Sequence, residues 1–307
     1  KKHFKNIDSM TGVETRSMAA VPVIFKGEKI GVFEVVNHSG NKDFSEEDVA
    51  ILEILAAEAA VLLYNDRLER QVTSAQEKIA KLDRMNKALR HEEPDRVPIS
   101  DFFWGSFIER WRKDLGLPAD ANPYYHYDLD WIVTVPNMDP WIRPFETLKE
   151  TPEEVTVKTG FGAIMHKHFE FPMPEMRGWQ TDTFEKLEQA TFDDPRDRRR
   201  FFTAGDNQIA GVGDGFQRNT PPWIDTVKSL RPDFPVYGSM IEVSECLTRL
   251  IGQENAMMWM AEYPERMGRV MNRIGEHFLE CAKAEMDAGA GLLDGFVIWG
   301  DVAYKKS

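Results

Sequence analysis

Several apolar runs in the second part of this chain end on a side chain that can accept a proton or hold a polar group. Val97-Pro98-Ile99 ends at Asp101, and Trp131 to Val135 ends at Asn137 and Asp139. Pro235 to Ile241 ends at Glu242, and Leu292 to Trp299 ends at Asp301. Carboxylates so placed can position a substrate or take a proton from it. Asp101, Asn137, Asp139, Glu242 and Asp301 are therefore the candidate site residues. A second pattern is His166-x-His168, two imidazoles on the same side of one strand. Zinc needs at least one further protein ligand, and none stands nearby, so no metal site is assigned. Cys246 and Cys281 are too few for a disulfide framework and too far apart for a zinc module, so free thiols are expected.

The elements that must carry these groups are legible from pattern. Short apolar strands alternating with helical stretches predict a parallel sheet covered on both faces. In a barrel of such units the functional groups follow the strand C-termini. Thr220 is expected to cap a helix opening on Pro221 and Pro222. Pro264 opens another, with Met267, Met271, Ile274, Phe278 and Ala282 on one face and Gly289 as its stop. Met257, Met258 and Met260 read as core filling, and Arg198-Arg199-Arg200 as a solvated helix face. Two strands joined by Gly160-Phe161-Gly162 predict a hairpin inserted in a crossover between Val155 and Phe171.

The N-terminal part differs. Met18 to Phe25 and Ile30 to Asn37 read as strands joined by a turn at Gly27-Glu28. Ser45, with Asp48 three residues on, is an N-cap for a long helix. Along that helix Leu68, Val72, Ala75, Ile79, Leu82, Asn86 and Leu89 recur at alternating steps of four and three, a heptad seam. Such a seam predicts a homodimer through residues 61–89.

The net charge is −13, and the segment 97–307 contains 23 basic against 34 acidic residues. So acidic a body argues against nucleic acid as a partner, because phosphate binding wants a concentrated basic face. No apolar run reaches the roughly 18 residues a membrane span needs, and no signal core follows the first residues. A cytoplasmic protein without a membrane partner is the expectation, and the absence of an initiator Met suggests a fragment.

Two family resemblances rest on these residues. The run from Thr11 to Leu68, with Arg16-Ser17-Met18, the Val21-Pro22 strand, Ile30-Gly31-Val32, Asn37 and Phe44-Ser45-Glu46-Glu47-Asp48 in order, resembles the C-terminal half of a GAF domain. That implies a partial α+β sensor module over 1–66, followed by a heptad-patterned connecting helix over 67–90. The segments NKALRHEEPDRVPI, YDLDWIVTVPNMDP, FPVYGSM with LTRLIGQENAMMWMAEYPERM, and AEMDAGAGLLDGFVIWGDVAYKK resemble the uroporphyrinogen decarboxylase superfamily. This resemblance implies an α/β fold, a partial TIM (β/α)8 barrel over 84–307 truncated after about four strands, with Met85 to Arg90 in its opening helix. The arginine-rich loop of the porphyrinogen decarboxylases is missing at Asp101 to Gly105, Asn137 stands where they have a catalytic Asp, and their Tyr falls near Thr248 or Arg249. The cobalamin-dependent, methyltransferase-like branch fits better. It implies a small-molecule substrate, zinc held by a His-x-Cys motif and a later Cys in the last strands, a corrinoid, and a corrinoid protein as partner. Authentic uroporphyrinogen decarboxylation and a non-catalytic ligand-sensing or corrinoid-binding protein stay open as alternatives.

Overall fold

In the computed structural model, residues 14–39, 42–171, 173–209 and 217–300 are described. Asp301 therefore lies outside the described residues. The chain divides into two compact units, 1–76 and 77–307.

In the first unit, β1 (Met18–Phe25) and β2 (Glu28–Val36) form an antiparallel hairpin. Lys26 and Gly27 both adopt positive φ, +49° and +85°, as a two-residue hairpin loop requires. On β1 the alternate residues Ala19, Val21 and Val23 are buried and pack with Leu52, Ala56 and Ala60 of the long helix α1 (Glu46–Leu89). Phe25 stacks on Tyr64 at 4.1 Å between ring centres. The start of α1 is reciprocally capped: the Asp48 N–H donates to Ser45 Oγ (3.2 Å) and the Ser45 N–H to Asp48 Oδ2 (2.8 Å). Asn37, at φ +59°, accepts the Arg16 N–H (2.8 Å) and donates to the Glu14 carbonyl (3.0 Å). It closes the strand end behind the hairpin.

In the second unit, α2 (Gly105–Asp114) and the short α3 (Pro123–His126) precede β3 (Ile132–Val133). A four-stranded antiparallel sheet follows: β4 (Glu146–Glu150), β5 (Glu154–Lys158), β6 (Ala163–His168) and β7 (Glu175–Trp179). Then come α4 (Phe184–Gln189), α5 (Arg199–Phe202), and the small pair β8 (Gly205–Asn207) and β9 (Gln217–Thr220). The chain continues through α6 (Trp223–Leu230), β10 (Val236–Ile241), α7 (Val243–Ile251), α8 (Gln253–Glu262), α9 (Pro264–Ala288) and β11 (Gly295–Trp299).

β3, β10 and β11 pair in parallel in the order β11-β10-β3. β10 is buried at all six positions, as a strand covered on both faces must be. The main core joins Met240 and Ile241 of β10 to Cys246, Leu247, Leu250 and Ile251 of α7 and to Met267, Val270, Ile274, Phe278 and Ala282 of α9. Pro264 and Gly289 bound α9, where the sequence pattern puts its ends.

Several expectations are corrected. The parallel sheet has three described strands and is open, so no barrel closes within it. Val97 to Ile99 form no strand; the Ile99 carbonyl accepts only the Asp130 N–H (2.8 Å), and Pro98 has no N–H to give a ladder. The expected hairpin at 155–171 is β5 and β6, extended on both sides into four strands by pairing with β4 and β7. Thr220 ends β9, its hydroxyl donating to the Gly205 carbonyl (2.7 Å), and α6 begins only at Trp223. Met257, Met258 and Met260 are exposed, because Ala256 and Trp259 supply the buried face of α8. Arg200 is buried rather than solvated.

Candidate functional site

The predicted site residues do not converge on one cluster. Asp101 is exposed and accepts the N–H of its neighbour Phe102 (2.7 Å). Its charge, after burial, raises the Tyr124 phenol above its usual range. Asn137 follows β3, where its amide donates to the Asp206 carbonyl (2.9 Å) and accepts the Asp139 N–H (3.0 Å). It lines a cavity of about 450 Å³ together with Phe102, Phe103, Tyr124, Arg200 and Trp223. Arg200 holds this loop by donating to the carbonyls of Asn137 (3.0 Å) and Asp139 (2.8 Å). Glu242, directly after β10, caps α7: its carboxylate accepts the N–H groups of Ser244 (2.6 Å) and Glu245 (2.7 Å) and the Ser244 hydroxyl.

Asp139 is 1% exposed and lines neither this cavity nor the one described below. Removal from water pushes its carboxyl up to about 7, against the downward pull of the Gln208 N–H, Arg200, Arg249 and the Gly160 N–H. Space for the carboxyl exists because residue 160 is glycine: a Cβ there would run into the Asp139 carboxyl and the Trp141 carbonyl.

The imidazoles on β6 serve the antiparallel sheet. His166 is buried, with Nδ1 3.1 Å from Thr156 Oγ1 and Nε2 3.3 Å from the Glu154 carboxylate. His168 Nδ1 accepts the Glu170 N–H (3.3 Å). Cys246 and Cys281 are free and buried, and burial raises both thiols, Cys281 to about 11. His277, 3.7 Å from the Cys281 sulfur, is pushed down to about 4, first by burial and then by Arg200. The described residues contain no group of three or more His, Cys, Asp or Glu able to hold a metal. They do not fit a zinc centre.

A second cavity, of about 460 Å³, lies against the C-terminal end of β11 and the helix that follows β10. Trp179, Gln208, Glu245, Thr248, Arg249 and Trp299 are among its walls. Arg249 is held by Glu245 one helical turn earlier (2.7 Å). Gln208 accepts the Thr159 hydroxyl through Oε1, and its backbone N–H donates to Asp139 (3.1 Å). The buried Asp139 carboxyl thus stands directly behind a cavity wall. Of these residues, only Thr248 and Arg249 are singled out in advance, by the resemblance to the decarboxylase superfamily and not by patterning. Trp179, Gln208 and Trp299 come from three separate elements with no common spacing.

A family model for the GAF domain matches residues 3–63. The first unit contains a GAF domain match. No curated protein and no solved structure matches the chain. Within the GAF-matching segment the described residues supply the hairpin and the capped start of α1. No helix among the described residues is long and apolar enough to cross a membrane.

Proposed function

We propose that the second unit is part of an enzyme of the uroporphyrinogen decarboxylase superfamily, of the methyltransferase-like branch, with the GAF-matching unit as its regulatory module. The observation that carries this reading is the position of the second cavity. Trp299, the last residue of β11, and Glu245, Thr248 and Arg249, on the helix after β10, line one space at the C-terminal ends of parallel strands, where β/α barrels keep their chemistry. The three parallel strands also lie side by side in the order in which the chain reaches them, β3, β10, β11, as the strands of a barrel do, although β4 to β9 intervene between the first two.

In this reading the chain's own residues bind and orient the substrate. Arg249, fixed by Glu245, offers a rigid donor fork. Asp139, through Gln208, sets the local charge behind the cavity wall near neutral pH. Zinc and a corrinoid belong to the branch by resemblance, and its zinc ligands would lie in later strands than those described. Incubating the full chain with cob(I)alamin and a panel of methylated thiols, amines and aryl ethers is expected to consume the cob(I)alamin absorbance with at least one donor. No methyl transfer from any donor would defeat this reading and leave the decarboxylation and the non-catalytic, ligand-binding alternatives.

The same reading makes the chain a homodimer through residues 61–89. The seam side chains Leu68, Val72, Ile79 and Leu89 are exposed, and exposed apolar residues at heptad spacing favour a partner helix. Sedimentation equilibrium is expected to give twice the chain mass, falling to one chain mass when Val72 and Ile79 are both replaced by lysine. A parent chain that sediments as a monomer at tens of micromolar would end the proposal.

A further inference from the structure

Four consecutive residues, Ile132, Val133, Thr134 and Val135, all line the first cavity. Side chains of successive strand residues point to opposite faces, so a cavity that touches all four runs along the edge of the strand and not over one face. The other edge is covered: the Ile132 N–H donates to the Pro235 carbonyl (3.0 Å) and the Thr134 N–H to the Tyr237 carbonyl (2.8 Å). By the same alternation the N–H and C=O groups of Val133 and Val135 point away from β10. Both residues are half-buried, and these four backbone groups have no partner among the described residues. The segment that could have covered them leaves early. The Ile99 carbonyl meets the Asp130 N–H, and the Ser100 hydroxyl donates to the Trp131 carbonyl (2.7 Å); beyond that point Phe102 and Phe103 belong to the cavity wall instead of a ladder.

Charge and chemistry narrow the ligand class. Arg200 is the only charged side chain lining the cavity among the described residues. It is 2% exposed, and its guanidinium already donates to the carbonyls of Asn137, Asp139, Asp193 and Asp194. An ionic ligand therefore finds no free counter-charge to offset its desolvation. The Asn137 amide and the Thr134 hydroxyl are likewise engaged within the protein, the latter donating to the Tyr237 carbonyl (3.2 Å) and accepting from Trp223 Nε1 (3.1 Å). Half-buried aromatic side chains supply much of the remaining surface: Phe102, Phe103 and Tyr124, the last two edge to face at 5.4 Å. A strand edge offers an acceptor and a donor close to one plane, the carbonyl of one residue and the N–H of the second residue on. A planar ring carrying an adjacent N–H and C=O answers both, and its faces suit aromatic neighbours. We infer that the first cavity binds an uncharged aromatic lactam, whose N–H donates to the Val133 carbonyl and whose carbonyl accepts the Val135 N–H.

Titration calorimetry of the full chain tests this with three bicyclic probes: 2-quinolone, a lactam; coumarin, which has the same shape and carbonyl but a ring oxygen in place of the N–H; and quinoline-2-carboxylate, which is charged. The lactam is expected to bind at least about tenfold more tightly than coumarin, because coumarin leaves the Val133 carbonyl unpaired, and at least about tenfold more tightly than the carboxylate. Val135→Pro removes the donor itself. Proline is tolerated where a strand N–H faces an open edge, and Thr134 before it is already extended in its pairing with β10, so the variant should keep the parent's urea midpoint and bind 2-quinolone about tenfold more weakly. Coumarin or the carboxylate binding as tightly as 2-quinolone, no binding of 2-quinolone in the millimolar range, or unchanged affinity in a folded Val135→Pro chain would overturn the inference. The probe comparison uses the parent chain and needs no variant to fold. This cavity is not the one assigned to the enzyme reading, and binding is measured without turnover, so either proposal can fail while the other stands.

Discussion

Replacing Asp130 by alanine will destabilise the second unit by about 3–5 kcal/mol, the cost of removing one partner from a buried ion network. The Asp130 side chain is fully buried and accepts from Arg84, from Arg96 Nη1 (2.9 Å) and from the Ile99 N–H (2.7 Å). Arg84, itself 8% exposed at the side chain, also grips Asp95 through two parallel bonds, Nε to Oδ1 (2.7 Å) and Nη2 to Oδ2 (2.6 Å). This fork holds the Asp95 carboxyl down at about 2. Without Asp130 the guanidinium keeps only its partly exposed partner, and a backbone donor loses its acceptor. Arg84→Met should cost a similar amount, because it leaves the buried carboxylate with Arg96 as its one cation beside the Ile99 N–H. The double variant Arg84→Met, Asp130→Leu should recover much of the loss, since both charges are then absent. All eight tryptophans lie at position 104 or beyond, so tryptophan fluorescence in urea follows this unit alone. A midpoint within experimental error of the parent for either single variant would refute the network's role.

This network also shows where the sequence was and was not readable. Asp95 and Arg96 lie about 35 residues before Asp130, and nothing in either stretch of sequence points to the other. Their meeting point is a buried carboxylate, and spacing along the chain does not encode it. Features set by neighbours within a few residues were legible: the Ser45 and Asp48 cap, and the Pro264 and Gly289 bounds of α9. Features set by distant partners were not. Arg200 looks solvated beside Arg198 and Arg199 until the carbonyls of Asn137, Asp139, Asp193 and Asp194 surround it. Val97 to Ile99 have strand composition but find one backbone partner instead of a ladder. The walls of the second cavity run from Met165 to Trp299 on separate segments, so only tertiary structure assembles it. Of the strand-end residues, Asn137 was found at a cavity wall, Glu242 at a helix cap and Asp139 behind a wall.

Asp139→Asn will remove a pH dependence from the stability of the second unit. The carboxyl ordinarily titrates at 3.8 and is pushed up to about 7 by burial. Below about pH 4 both folded and unfolded chains hold the proton, and the folded state has its full contribution from this group. Between about 4 and 7 the unfolded chain releases a proton that the folded chain keeps, so stability falls as pH rises. Above about 7 the folded carboxyl ionises in place, and the loss is complete at roughly 4 kcal/mol, from about three pKa units at 1.36 kcal/mol each. Asparagine mimics the protonated acid: its oxygen still accepts the Gln208 N–H, and its NH₂ replaces the hydroxyl. Any cost of that replacement is the same at every pH, so the slope, not the offset, is the readout. Other carboxylates, such as Asp95 and Asp128 with their lowered values, titrate alike in both proteins and cancel in the difference. Urea unfolding at pH 4, 6 and 8 should therefore show the Asn variant gaining on the parent by a few kcal/mol across the series. A parallel pair of curves would mean that Asp139 is ionised in the folded chain throughout, with Arg200 and Arg249 outweighing its desolvation. That outcome would place a fixed negative charge behind Gln208 and remove the basis for a charge change there near neutral pH.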